Sequence, residues 1–422
     1  MEIFIIPRKD TSDEYIVYAP LQNVAFFCNQ NAKVIVEKYT QGIELSTAEK
    51  ETVVWNHLEQ IEKIQYDPPE PKIVGSNDCV VIILSQLCNL SCSYCYAREA
   101  RSKMVLNKTM LKTVIDHILL KSPTYADFVF IGGGEPLVTW NVLKWSIEYI
   151  FKVKDESTHV NITITTNATL LTCEKIDFLK KYNIQLGLSF DILPIIQNKQ
   201  RVIAGSKSAS FDIVNAVIKQ LDEAGISYSF RSTITKLNVR LMPEMVSFVL
   251  ENYKCVTKLH FEPVSSVDDN DETFYQEFVD SFMKARTIGM SNGITVYNSI
   301  TTSLDKINSR FCRGEFCVTP TGAIVACHRI SSEKEDLFES FNYGWVKEEI
   351  SIDIDKRNDV FELFNAKQDS CSTCFAKWHC AGGCPTERLI QTPAQHSFKC
   401  QFVKDLIVRL LEERLSSKSY DK

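Results

Sequence analysis

Eleven of the fifteen cysteines in this 422-residue chain fall in two runs. Cys88, Cys92 and Cys95 are spaced CxxxCxxC directly after the apolar stretch VVIILS. Cys312, Cys317, Cys327, Cys371, Cys374, Cys380, Cys384 and Cys400 follow as CxxxxC, nine residues and C, a gap, CxxCxxxxxCxxxC, then fifteen residues and C. Three thiolates on one compact loop can hold three irons of a cubane and leave the fourth open, whereas structural zinc takes four closed ligands. Eight thiolates complete two four-Cys sites, and their softness favours iron–sulfur clusters or zinc over hard cations. Cys28, Cys79, Cys173 and Cys255 stand apart and read as small apolar fillers. The seven histidines form no HxxxH or HExxH pair, and His328, beside Cys327, is the one placed to face a site.

A second chemical signal is FIGGGEP. Gly133 and Gly134 let the backbone approach a ligand, and Glu135 adds a carboxylate able to pair with an ammonium group, although a turn leading into a proline-started helix accounts equally for the same letters. The composition limits the partners. A formal charge of -6 argues against a nucleic-acid surface, no apolar run reaches the length of a membrane span, and MEIFIIPRKD lacks the features of a signal peptide. We therefore expect reduced, metal-holding cysteines in a cytoplasmic protein.

The elements that position these groups alternate. VVIILS, FVFIGG, HVNITITTN, IQLGLSF, SYSFRSTIT and KLHFEPV are β-like runs, and segments of helical spacing lie between them. Six such units predict an α/β core with parallel strands, an open or partial (β/α) barrel with its chemistry at the strands' C-terminal ends. Residues 1–75 read as a small α+β unit opening on two strands, EIFIIP and EYIVYAP, and YDPPEPKIVGSN reads as a linker. Core residues 76–303 give way at 304–422 to a Cys-rich region closed by an amphipathic helix.

The CxxxCxxC and GGEP motifs together resemble the radical S-adenosylmethionine (SAM) enzymes over Val80 to about Asn298. The resemblance implies that Cys88, Cys92 and Cys95 hold a [4Fe-4S] cluster whose open iron chelates SAM, and that Gly133, Gly134 and Glu135 contact the methionyl amine. Tyr94 takes the aromatic position between the second and third cysteines. TTNATLL resembles the family's TNGTLL and puts Thr166 and Asn167 near the cofactor, with Ala168 replacing a glycine. LSFDILPIIQNKQR resembles SxDGxxxxxDxxR, implying that Ser189 and Asp191 touch the ribose and that Arg201 supports the site. Ile192 replaces the glycine and Asn198 the second acid. Arg231, at the end of the fifth strand, is a candidate for the cofactor carboxylate. For these softer matches, a polar group capping a strand end is the structural alternative.

The second run looks like the SPASM extension of radical SAM proteins, with crossed ligation of two auxiliary [4Fe-4S] clusters: Cys312, Cys317, Cys327 and Cys384 on one, Cys371, Cys374, Cys380 and Cys400 on the other. Three clusters in all are implied. The front unit is similar to the winged-helix-like domains that hold leader peptides. Taken together, the resemblance implies a peptide maturase acting on a ribosomally made precursor with a leader, fed electrons by flavodoxin or ferredoxin. A maturase oxidising a side chain of a client protein is the second reading. Anaerobic sulfatase-maturing enzymes carry an aspartate where this chain has His328, which weakens that branch. A zinc or Fe–S scaffold without activity is the third.

Overall fold

The six anticipated strands are all present. In a computed structural model describing residues 2–9, 11, 13–76, 78–98, 101–122, 124–206, 209–265 and 270–418, sixteen strands can be numbered in chain order. They are β1 (Phe4–Pro7), β2 (Glu14–Ala19), β3 (Val24–Asn29), β4 (Cys79–Ile82), β5 (Leu90–Cys92), β6 (Tyr125–Phe130), β7 (His159–Thr166) and β8 (Gln185–Ser189). The second half holds β9 (Arg201–Ile203), β10 (Tyr228–Ile234), β11 (Val256–Pro263), β12 (Thr295–Tyr297), β13 (Cys317–Val318), β14 (Ala323–Val325), β15 (Asn342–Val346) and β16 (Ile350–Ile352).

The strands β4, β6, β7, β8, β10 and β11 lie side by side in that order and are parallel throughout, as right-handed βα crossovers require. Helices Lys108–Lys121, Trp140–Val153, Cys173–Lys181, Phe211–Glu223 and Met242–Asn252 make the crossovers and bury one face each. The result is a partial barrel of the expected kind. Two additions extend it. Strand β12 joins the β11 edge, and on the other side β13 pairs with β4, so that the sheet runs unbroken past residue 304 into the antiparallel strands β14 to β16.

Two elements were not anticipated. The front unit has three strands rather than two, ordered β1-β2-β3, because VAFFCN forms β3 before Asn29 caps the helix Gln30–Thr40. One face of this sheet, with Val17, Phe26 and Cys28, packs with Val36, Leu58 and Ile61 into a small core; the other, with Ile6, Ile16 and Tyr18, joins the main core. The helix Glu272–Ser291 is the other. It buries Phe274, Phe278 and Phe282 on one stripe, and Tyr275 stacks 4.8 Å from Phe402 of the C-terminal helix Pro393–Lys418.

Candidate active site

A single cavity of about 1390 Å³ opens where the parallel strands end. Cys88, Cys92, Cys95, Tyr94, Gly133, Gly134, Glu135, Thr166, Asn167, Ser189, Arg201, Arg231 and His328 all line it, as do Cys371, Cys380, Cys384 and Cys400.

The cysteine loop is held by backbone pairing. Strand β5 runs antiparallel to β9 with Cys92 opposite Arg201, and Ser93 N donates to Gln200 O at 2.8 Å. Arg101, absent from the sequence-based candidates, donates to Leu90 O at 3.0 Å and to Cys95 Sγ at 3.4 Å, and Leu90 N donates to Cys88 Sγ at 3.5 Å. Burial pushes the Cys88 thiol up, and pushes Cys92 up to about 11 against the lowering charge of Arg201. Protons on these sulfurs would leave when iron binds.

The GGEP turn presses against that loop. A Cβ on Gly134 would sit 2.0 Å from Leu87 O and one on Gly133 3.0 Å from Ser85 O, so both glycines are required by the cysteine loop itself. Glu135 is buried and among the described residues has no cation hydrogen-bonded to it; its carboxylate accepts from Thr166 Oγ1 at 2.6 Å, Asn167 N at 2.7 Å and Leu137 N at 3.0 Å. Burial pushes its pKa up more strongly than these donors lower it. A buried carboxylate at the cavity wall with only neutral donors suits an incoming ammonium group.

Two placements differ from the resemblance. Asp191 is wholly buried and off the cavity lining; it pairs with Arg201 Nε at 3.1 Å and accepts from Tyr94 Oη at 2.8 Å, Gln200 Nε2 at 2.9 Å and Thr233 N at 3.2 Å. Tyr94, Gln200 and Arg201 all meet Oδ2 and Thr233 N meets Oδ1, so the carboxylate braces Tyr94 and Arg201 inside the fold, away from the cavity lining. Arg231 is mid-strand rather than terminal, but β10 outruns β8, and Arg231 lies opposite Ser189, the last residue of β8. The two lost glycines leave their mark. Ala168 has φ 64° and Ile192 φ 65°, so the left-handed turns persist without the residue that adopts them freely.

The eight later cysteines sit on different elements: Cys317 opens β13, Cys400 lies in the helix Pro393–Lys418, and Cys384 precedes the helix Pro385–Ile390. Thr386 Oγ1 lies 3.3 Å from Cys384 Sγ and 3.8 Å from Cys327 Sγ, and β13 places Cys317 opposite Val81. Burial raises Cys312 and Cys380 to about 12 each. Charges reinforce this: Glu315 and then Cys384 act on Cys312 and Cys327, Glu315 and then Cys327 on Cys317, while Cys400, Cys374 and Cys371 act on Cys380. Among the described residues no three His, Cys, Asp or Glu converge as closely as ligands of one ion. A cubane holds its thiolates apart by the width of the cluster, and the donor set suits one.

Sequence reasoning also missed Glu315. His328 Nδ1 is 2.8 Å from its Oε1, and His328 N donates to its Oε2 at 2.6 Å. Glu262, Lys399 and Glu387 line the cavity too, and none of them sits in a motif.

Residues 82–249 match the radical SAM superfamily. This chain carries a radical SAM domain. The radical SAM family uses SAM and a [4Fe-4S] cluster. The chain is 22% identical to a cysteine-type anaerobic sulfatase-maturating enzyme of Clostridium novyi, over 71% of this chain and 85% of that one. It is 23% identical to the radical SAM cyclopropyl synthase TigE of Paramaledivibacter caminithermalis, over 88% and 83%. Among solved structures, anSMEcpe with bound AdoMet and the Kp18Cys peptide aligns with TM-score 0.68 at 18% identity, covering 82% of this radical SAM chain and 99% of the other. Streptococcus suis SuiB bound to its precursor peptide SuiA aligns with TM-score 0.51 at 15% identity, covering 90% and 94%. No helix among the described residues is long and apolar enough to cross a membrane.

Proposed function

We propose that this enzyme is a cytoplasmic peptide maturase with three [4Fe-4S] clusters. The observation that carries the proposal is the shared cavity: the three-cysteine loop, Glu135 and four of the later cysteines, Cys371, Cys380, Cys384 and Cys400, face one space large enough for SAM and a peptide segment. Cys88, Cys92 and Cys95 would hold the first cluster. The two sets of mutually acting thiols support auxiliary clusters on Cys312, Cys317, Cys327 and Cys384 and on Cys371, Cys374, Cys380 and Cys400.

When bound, a cluster on Cys88, Cys92 and Cys95 together with SAM would supply hydrogen-abstracting radical chemistry, and clusters on the later cysteines would supply places for electrons to go. The chain's own groups bind and orient. Glu135 receives the ammonium of the methionyl group, with Thr166 and Asn167 fixing its two oxygens. Arg231 meets the carboxylate, Ser189 lies beside it, and Tyr94, anchored on Asp191 under the Arg201 guanidinium, closes the wall. Gly133 and Gly134 hold the cysteine loop against this group. The product is a cross-linked or otherwise oxidised peptide, and the electrons come from flavodoxin or ferredoxin. In residues 1–75, β1 and β3 are, among the described residues, sheet edges each paired with β2 alone, and an edge can take up a leader as an added strand.

The similarity to sulfatase-maturating enzymes favours a second reading, oxidation of a client protein's side chain. His328, held by Glu315, stands where that branch carries an aspartate. Anaerobic reconstitution tests both readings. About twelve irons per chain are expected on three four-iron sites. Dithionite-dependent 5'-deoxyadenosine and a loss of two hydrogens from the peptide encoded beside the gene support the first reading; turnover of a folded client alone supports the second. Colourless protein with two zincs overturns both.

A further inference from the structure

The cavity holds two carboxylates that none of these roles uses, Glu262 and Glu387. Glu262 is the penultimate residue of β11, at the strand end where a barrel presents its chemistry. Its Oε2 accepts from Ser299 N at 3.0 Å and from Ser299 Oγ at 2.9 Å, and His260 Nε2 lies 3.0 Å away. The His260 ring is itself stacked 4.8 Å from Tyr297. Three contacts on one oxygen lock the side chain in place. Its other oxygen, Oε1, has no hydrogen-bond partner among the described residues, and the side chain is 36% exposed on the cavity wall. Burial raises the carboxyl group, but the His260 contact, then the charge of Lys399 and the Ser299 N–H, outweigh it and bring the group down to about 2.

Lys399 lines the same cavity. Its Nζ pairs with Glu387 Oε2 at 3.7 Å and lies over the rings of Tyr275 and Phe402 at 5.6 and 5.1 Å, which fixes the ammonium. A locked anionic acceptor and an ammonium donor in one cavity have the polarity of a peptide group's N–H and C=O. The match is to the main chain, which every peptide presents, so it complements recognition of the residue that reacts. The cofactor groups lie on β4 to β10, and Glu262 sits one strand further round, beside β12.

We propose that Glu262 and Lys399 clamp the backbone of the substrate, Glu262 Oε1 accepting from a peptide N–H and Lys399 Nζ donating to a peptide carbonyl. The clamp rests on the reading of this enzyme as a peptide maturase. The test uses the reconstituted holoenzyme, wild type and the variants Glu262→Gln, Ser299→Ala and Lys399→Gln, with the synthetic peptide of the adjacent reading frame. Peptide KM rises roughly ten- to hundredfold in Glu262→Gln, the range for a hydrogen bond to a charged group, and less in Ser299→Ala, which loosens the carboxylate without removing it. Iron content and SAM affinity measured without peptide stay at wild-type values in all three. N-methylation of the peptide, scanned position by position, costs the wild type a similar factor at one site and costs Glu262→Gln little there.

An unchanged peptide KM in Glu262→Gln overturns the clamp. So does a shift in SAM affinity instead, which would make Glu262 a cofactor residue, or an N-methyl profile identical in wild type and variant, which would place its contact on a substrate side chain. If the wild type cleaves SAM but leaves the peptide unaltered, the maturase reading fails and the clamp fails with it.

Discussion

The two cysteine regions are built in opposite ways. The loop carrying Cys88, Cys92 and Cys95 is part of the sheet system: β5 pairs with β9, Arg101 holds a carbonyl and a sulfur, and the GGEP turn packs against its backbone. The stretch from Cys371 to Cys384 has one 3-10 turn, Asp369–Cys371, and a left-handed run at Ala381, Gly382 and Gly383. Its polypeptide supplies little regular hydrogen bonding. A ladder fixes the first region before any metal arrives, whereas the second depends on what its thiols bind.

Iron removal tests this contrast most strongly. Amides of residues 371–400 are expected to exchange faster by about two orders of magnitude in chelated protein than in the loaded form, while those of β4 to β8 hold their protection. Equal loss in both regions, read by hydrogen-exchange mass spectrometry, breaks the distinction. Next comes Asp191→Ala. It strands Arg201 without its buried partner and is expected to lower stability by about 3–5 kcal/mol in urea titrations of the apo protein. A loss below about 1 kcal/mol would mean that the loop's brace lies elsewhere.

Gly134→Ala drives a methyl group into Leu87 O, and a cost of about 1–3 kcal/mol is expected, with reduced iron at the first cluster seen by electron paramagnetic resonance. Normal iron loading would show that the loop yields easily. The smallest effect belongs to Ala168→Gly. Relief of the left-handed backbone offsets the loss of a buried methyl and the added freedom of the unfolded chain, so stability should stay within about 1 kcal/mol of wild type.

The six barrel strands were legible because β-branched and aromatic residues recur along them, in β6, β7 and β10 with alternate positions buried, and turns bound each run. The cysteines were legible because cluster ligation constrains spacing along the chain. Strand β3 escaped because VAFFCN leads straight into a helix, with Asn29 both ending the strand and capping the helix. The helix Glu272–Ser291 carried a usable signal, Phe274, Phe278 and Phe282 four apart, diluted by the charges between them. Glu262, Glu315 and Lys399 could not be found this way. Their partners are His260 and Ser299, His328, and Glu387, and apart from the His260 contact these pairings are made by the fold rather than by spacing. Asp191 shows the converse: its motif position was legible, but the sequence held no sign that Arg201, Gln200 and Tyr94 would hold its carboxylate inside the fold.

The unbroken sheet has a practical consequence for anyone dividing the molecule. Val81 N and Ile83 N donate to Phe316 O and Val318 O at 2.9 Å, so a fragment ending near residue 303 would bare one side of β4. That strand is CVVI, with no charge or proline to deter a neighbour, and it leads directly to the loop of Cys88. Such a fragment would carry a sticky edge next to its reactive thiols, prone to pair with other chains. The C-terminal region, whatever its electrons do, also serves as the edge guard of the barrel.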